Sequence, residues 1–172
     1  HEQETTQFLN KWGKYLDDAI LSVHFLKCPS GRYICLDYSP QAFQQLVEEF
    51  SSLKAVYEKY YETLQMSIES NLGNDKPKRI GHITLVKKFQ QQFPIDFDDS
   101  PLIEQTLRLI KKENLSLDVN GAGLIKPLCQ QFYPPLNWVK RAKEMEIDLV
   151  YGSDAHKAKD LGVGLSELKE NK

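Results

Sequence analysis

Short apolar runs and longer amphipathic stretches alternate along the chain. Residues 19–26, apolar except for Ser22 and His24, read as a buried strand, and a Pro29-Ser30-Gly31 turn leads into an extended piece over 33–37. Ser39 followed by Pro40 marks a helix start, with the serine as N-cap and the proline in the first helical position. Phe43, Leu46, Val47 and Phe50 then recur on one helical face. Ser52 opens a longer helix whose apolar positions Val56, Tyr60, Leu64 and Ile68 recur every fourth residue, with an end predicted near Leu72-Gly73. The alternation then repeats. A strand over 79–86 precedes a helix capped by Asp99 or Ser100 and running through Ile103, Leu107 and Ile110. A strand over 115–120, a helix over 136–145, a strand over 148–153 and a short helix around Leu165 to Leu168 complete the chain. Strands separated by helical stretches predict an α/β fold with parallel pairing and right-handed crossovers.

The polar residues sharpen this picture. Each predicted strand carries, in it or just past it, a side chain capable of chemistry: His24, His82, Asn120, and then Asp154 and His156. Functional groups collected at the C-terminal ends of parallel strands are the layout of barrel and doubly wound α/β enzymes. The main strands number about half of those in a closed eight-stranded barrel, so the pattern predicts an open sheet or part of a barrel.

The chain has 172 residues, and no Gly/Ser linker divides it, so a single unit over 1–172 is expected. Apolar residues make up 41% and charged residues 27%, the balance of a globular domain. The formal net charge of −2 argues against nucleic acid as a partner, because such binders carry a basic face. No apolar run reaches the roughly 18–20 residues that cross a bilayer. Cys28, Cys35 and Cys129 are too few and too irregular for a disulfide scaffold, which leads to an expectation of reduced thiols in the cytoplasm. The opening from His1 has neither Met nor the charged and apolar regions of a signal peptide, and reads as the interior of a longer protein.

Gly152-Ser153-Asp154-Ala155-His156 is the sharpest local motif. In extended backbone, residues two apart share a face, so Asp154 and His156 would point together and suit a divalent ion such as zinc, manganese or iron. The plainer alternative makes Asp154 a cap and His156 a surface loop residue. His24 and His82, each inside an apolar stretch, read singly as hydrogen-bonded core residues. On neighbouring parallel strands they could instead converge with Asp154 and His156 in one pocket. Lys87, Lys88 and Lys126 follow strand ends and could serve as point charges for phosphate, or be ordinary surface lysines. The Asn120-Gly121-Ala122-Gly123 turn allows close backbone approach but matches neither a dinucleotide fingerprint nor a P-loop.

Four segments in this order and spacing go beyond such generic readings: Ser22-Val23-His24-Phe25-Leu26, residues 81–89, Val119 through Lys126, and Gly152 through His156. Together with Leu36-Asp37-Tyr38 and the helix over 56–62, they closely resemble the histidinol-phosphatase branch of the polymerase-and-histidinol-phosphatase (PHP) superfamily. The resemblance covers essentially the whole chain. It implies the C-terminal part of a distorted (β/α)7 barrel, with up to three divalent ions (Mn, Fe or Zn) at the C-terminal strand ends. The implied reaction is hydrolysis of L-histidinol phosphate to L-histidinol and phosphate, in histidine biosynthesis. By the same resemblance His24 and His82 are metal ligands, and Asp154 and His156 are the closing ligands and catalytic pair. Lys87, Lys88, Asn120 and Lys126 are the implied substrate contacts.

The departures from the family pattern carry expectations of their own. The leading H-x-H strand, a further strand-end histidine and a strand ending in a metal-bridging glutamate have no counterpart here, so the single unit is expected to be a partial PHP domain. Ile125 stands where many relatives carry an arginine. The expectation is therefore weak metal binding, poor catalysis by these residues alone, and self-association through an exposed sheet edge. Two alternatives remain: a PHP phosphoesterase acting on phosphotyrosine or nucleotides, and a non-catalytic interaction fragment.

Overall fold

The computed structural model describes residues 2–170, so His1 lies outside the described residues. Helix α1 (Glu2–Trp12) leads through a 3-10 turn into strand β1 (Ile20–Leu21). A hairpin follows, made of β2 (Phe25–Lys27) and β3 (Tyr33–Cys35), and then helices α2 (Pro40–Phe50) and α3 (Leu53–Glu69). The remainder alternates strictly: β4 (Arg79–Ile80), α4 (Ser100–Lys112), β5 (Ser116–Asn120), α5 (Leu136–Glu144), β6 (Leu149–Gly152) and α6 (Leu165–Glu170). Strands β1, β4, β5 and β6 form one parallel sheet in that order, as the alternation predicts. The sheet is an open arc, with β1 and β6 at its edges.

The helix starts follow the sequence signals. The Ser39 hydroxyl accepts a hydrogen bond from the Ala42 amide with Pro40 at the first position, and the Ser52 hydroxyl accepts one from Ala55, each at 3.1 Å. Helix α3 buries Tyr57, Tyr60, Tyr61, Leu64 and Ile68 against the sheet and α4, where Ile103, Leu107 and Ile110 meet them. Burying each such apolar side chain contributes about 1.5–3 kcal/mol, so this layer is the main anchor of the fold. α3 ends at Glu69, before the Leu72-Gly73 boundary that the glycine signals.

Two predicted strands divide differently from their sequence pattern. The apolar run over 19–26 belongs to two sheets: Ile20 and Leu21 pair with β4, whereas Phe25 and Leu26 pair antiparallel with β3. The break falls at residues 22–24, where the chain leaves the parallel sheet. Likewise only Arg79 and Ile80 of the run over 79–86 are strand; His82 takes φ +26°, and Leu85–Lys87 wind into a 3-10 turn. Apolar character there reflects burial beneath the sheet's C-terminal edge: Ile83, Leu85 and Val86 are all buried.

Candidate active site

The C-terminal edge of the parallel sheet collects the chemistry-bearing side chains. His24 follows β1, His82 follows β4, Asn120 ends β5 and Asp154 follows β6. A hydrogen bond from the Gly81 amide to the Leu21 carbonyl joins the ends of β4 and β1, and one from the Leu36 amide to the His24 carbonyl ties His24 to the end of β3, both at 2.9 Å. As a result the two imidazole rings stand edge to face, with centroids 4.9 Å apart and planes at 77°.

Their electrostatic surroundings differ. His82 is buried, and that burial together with the nearby His24 charge pushes its pKa down to about 4, so it is a neutral imidazole at pH 7. Its Nδ1 has no hydrogen-bond partner among the described residues, and its carbonyl accepts from the Tyr60 hydroxyl at 3.3 Å. His24 is half-exposed, and its Nδ1 lies 3.0 Å from Asp37 Oδ1. That hydrogen bond outweighs partial burial and raises the His24 pKa. Burial alone would raise the pKa of Asp37, but the bond to His24 and the Lys88 ammonium outweigh it and hold this carboxyl well below the usual carboxylate range. Asp154 is exposed, and its negative charge favours the protonated form of both histidines.

His156 does not join this group in the way extended backbone predicts. Asp154 takes φ +48°, which breaks the two-residue alternation. His156 is exposed, and its Nδ1 meets the Asp154 carbonyl at 2.9 Å. The other implied contacts are held within the chain. Lys87 reaches Asp99 at 2.8 Å, and Lys88 reaches the Asp37 carboxylate at 3.1 Å and its carbonyl at 2.6 Å. The Asn120 amide donates to Asp118 Oδ2 at 3.1 Å and accepts from the Ala122 amide at 2.9 Å, so it organises the following turn. Lys126 is exposed and forms no ion pair among the described residues. Gly121 shows why that turn needs glycine: a Cβ there would lie 1.9 Å from the Val163 carbonyl oxygen.

Two carboxylates stand out that the strand-end pattern misses. Asp37 sits just past the β2–β3 hairpin and reaches the site only through tertiary folding. Asp118 carried a legible signal, since it shares a strand face with Asn120 in a strand that alternates polar and apolar residues. Asp118 is completely buried, its Oδ1 lacks a partner among the described residues, and burial raises its pKa against the opposing pull of Asn120 and Arg79.

Among the described residues no three His, Cys, Asp or Glu side chains meet in a metal-holding arrangement. The two imidazoles, 4.9 Å apart and one with a ring nitrogen unpartnered among the described residues, are nevertheless donors of the kind a divalent ion takes. A separate groove of about 730 Å3, lined by Leu136, Val139, Leu149, Tyr151 and Leu168, lies along β6 and contains none of these groups.

No family model matches the chain. Individual proteins do. It is 45% identical over 171 residues to a histidinol-phosphatase of Bacillus subtilis, covering 98% of this chain and 63% of that protein. A Deinococcus radiodurans protein, assigned provisionally to the same activity, is 33% identical over 114 residues, covering 66% of this chain and 40% of its own length. The crystal structure of a Listeria monocytogenes protein, provisionally a histidinol phosphatase, superposes with a TM-score of 0.92 at 40% identity, covering 97% of this chain and 63% of that one. The chain thus spans under two thirds of the length of each of these relatives. Sequence and fold agree over nearly every residue present, and the chain is a homologue of the histidinol-phosphatases along the span it covers.

Proposed function

We propose that this chain carries part of the catalytic apparatus of a metal-dependent phosphomonoesterase acting on L-histidinol phosphate. The observation that carries the reading is the edge-to-face contact of His24 and His82 at the C-terminal ends of parallel strands, in a homologue of the histidinol-phosphatases. His24, His82, Asp154 and His156 are the residues that would hold a manganese, iron or zinc ion. When bound, such an ion supplies Lewis-acid polarisation of a phosphoryl oxygen and lowers the pKa of water. His82, neutral at pH 7, keeps a ring nitrogen available as a ligand, and the exposed Lys126 offers a cation to the phosphate.

Four donors are fewer than a multinuclear centre needs, so metal binding by these residues alone is weak. The test is inorganic phosphate release from L-histidinol phosphate, phosphotyrosine and a nucleoside monophosphate, with Mn2+ titrated into the full chain. Metal-dependent release that is fastest with L-histidinol phosphate and abolished by His82→Ala supports the reading. Metal-independent release, or equal rates on all three substrates, overturns it.

A further inference from the structure

Asp37 is the most connected polar group beside the histidines. Its Oδ1 lies 3.0 Å from His24 Nδ1, and its Oδ2 lies 3.1 Å from the Lys88 ammonium. The same ammonium donates to the Asp37 carbonyl at 2.6 Å, and the Cys35 thiol donates to Oδ1 at 3.3 Å. Asp37 and Lys88 are each mostly buried, with side chains 16% and 22% exposed. The pair therefore ties the residue just past β3 to the 3-10 turn that follows His82, binding together the two segments that present the histidines.

An ionised carboxylate only accepts hydrogen bonds, so its partner nitrogen must carry the proton. A neutral imidazole has one N–H; if Asp37 takes it at Nδ1, the lone pair remains at Nε2. Metal-binding histidines use this device, in which the second ring nitrogen donates to a carboxylate that fixes tautomer and ring orientation. Free histidine in water prefers the opposite tautomer, so the local carboxylate has work to do. Lys88, held by two contacts, keeps Asp37 ionised and turned toward the ring.

We infer that Asp37 is a positioning residue that fixes neutral His24 as the Nδ1–H tautomer, leaving Nε2 free to coordinate, and that Lys88 is the cation that orients Asp37. The inference rests on the reading of His24 as a metal ligand, but its first test does not.

Nitrogen-15 NMR of the imidazoles in the metal-free full chain, followed upward in pH until the His24 signals stop moving, reads the tautomer of the neutral ring directly. Nδ1–H at His24 in the wild type and a shift toward Nε2–H in Asp37→Leu are expected. An Nε2–H wild type, or a tautomer unmoved by the substitution in a folded variant, overturns the inference. If Asp37→Leu does not fold, Lys88→Met leaves the carboxylate in place and serves instead: broadened or mixed His24 signals are expected, and an unchanged sharp Nδ1–H signal overturns the role of Lys88. Calorimetry with Zn2+ alone is the second arm, where Asp37→Leu is expected to weaken binding about 10–100-fold. A tautomer that responds with zinc affinity unchanged removes His24 from the ligand set, and with it the ligand reading, while the Asp37–His24 coupling stands.

Discussion

Gly152, at the end of β6, lies against the Asp118 carboxylate of β5 so closely that a Cβ built on it would stand 2.6 Å from Oδ1. A terminal side-chain oxygen can often move aside, but this one belongs to a completely buried carboxylate held by the Asn120 amide. Gly152→Ala therefore forces either the carboxylate or the strand end to shift. The expected cost is about 1–3 kcal/mol, as for other insertions into packed interiors, read as a lower urea midpoint. Because Asp154 follows two residues later, the same substitution should also disturb the placement of its charge relative to His24 and His82. A midpoint equal to wild type would show that Asp118 is free to move.

Tyr60 couples the core to the site from below. Its ring is completely buried on α3, and its hydroxyl donates to the His82 carbonyl at 3.3 Å. That carbonyl also accepts from the Leu85 amide at 2.8 Å, so removing the hydroxyl does not orphan it. Tyr60→Phe should then cost only the net value of one hydrogen bond, about 0.5–1 kcal/mol in urea unfolding. Faster hydrogen exchange at Leu85 is expected alongside, since the turn at His82 loses one of its two tethers. A loss above about 3 kcal/mol would mean that the hydroxyl satisfies something further.

Lys87 faces a sharper choice between structure and substrate. Its ammonium is 2.8 Å and 3.0 Å from the two Asp99 oxygens, and both side chains are largely buried, at 15% and 8% exposure. Taking away one partner of a buried pair strands the other charge, at a typical cost of about 3–5 kcal/mol. The N-terminus of α4 offsets part of it for Asp99, so about 3 kcal/mol is expected for Lys87→Met. Adding Asp99→Leu should recover most of that loss. If Lys87→Met instead leaves stability intact and weakens inhibition by inorganic phosphate, the lysine belongs to substrate binding.

The sequence carried the parallel sheet because its period changes are local: Leu117 and Val119 alternate with Asp118 and Asn120, and Phe43 and Leu46 repeat on a helical face. The serine caps of α2 and α3 were equally local and equally legible. Asp99 was a half-truth, since it stands at the α4 N-cap position but gives its carboxylate to Lys87, while Asp98 accepts from the Ser100 amide. Helix α1 gave little apolar signal, with Leu9 its one buried side chain. The run over 19–26 concealed two sheets because burial, not strand pairing, sets its apolar character. Within the site, His24, His82 and Asp154 were legible as strand-end residues. Asp37 was not, because its approach to His24 depends on a hairpin that local pattern cannot place.

The opposed surroundings of the two histidines give the metal-free chain a pH optimum for stability. Burial lowers the His82 pKa to about 4 from an ordinary 6.5. Between those values the unfolded chain binds a proton that the folded chain does not, so stability falls as pH drops from 6.5 toward 4. Asp37, held low by His24 and Lys88 against its burial, adds to the acid limb: its contribution is present above the ordinary 3.8 and lost as pH falls through its lowered value. His24 has the reverse sign. Its pKa is raised, so its stabilising bond to Asp37 is complete below 6.5 and declines as pH rises through the raised value. The melting temperature in chelator should therefore peak near pH 6–7 and fall on both sides. His82→Gln should flatten the acid limb, and His24→Gln should flatten the alkaline one. Calorimetric scans of the three proteins across this range decide the matter, and limbs of unchanged slope in both variants would assign the pH dependence to other groups.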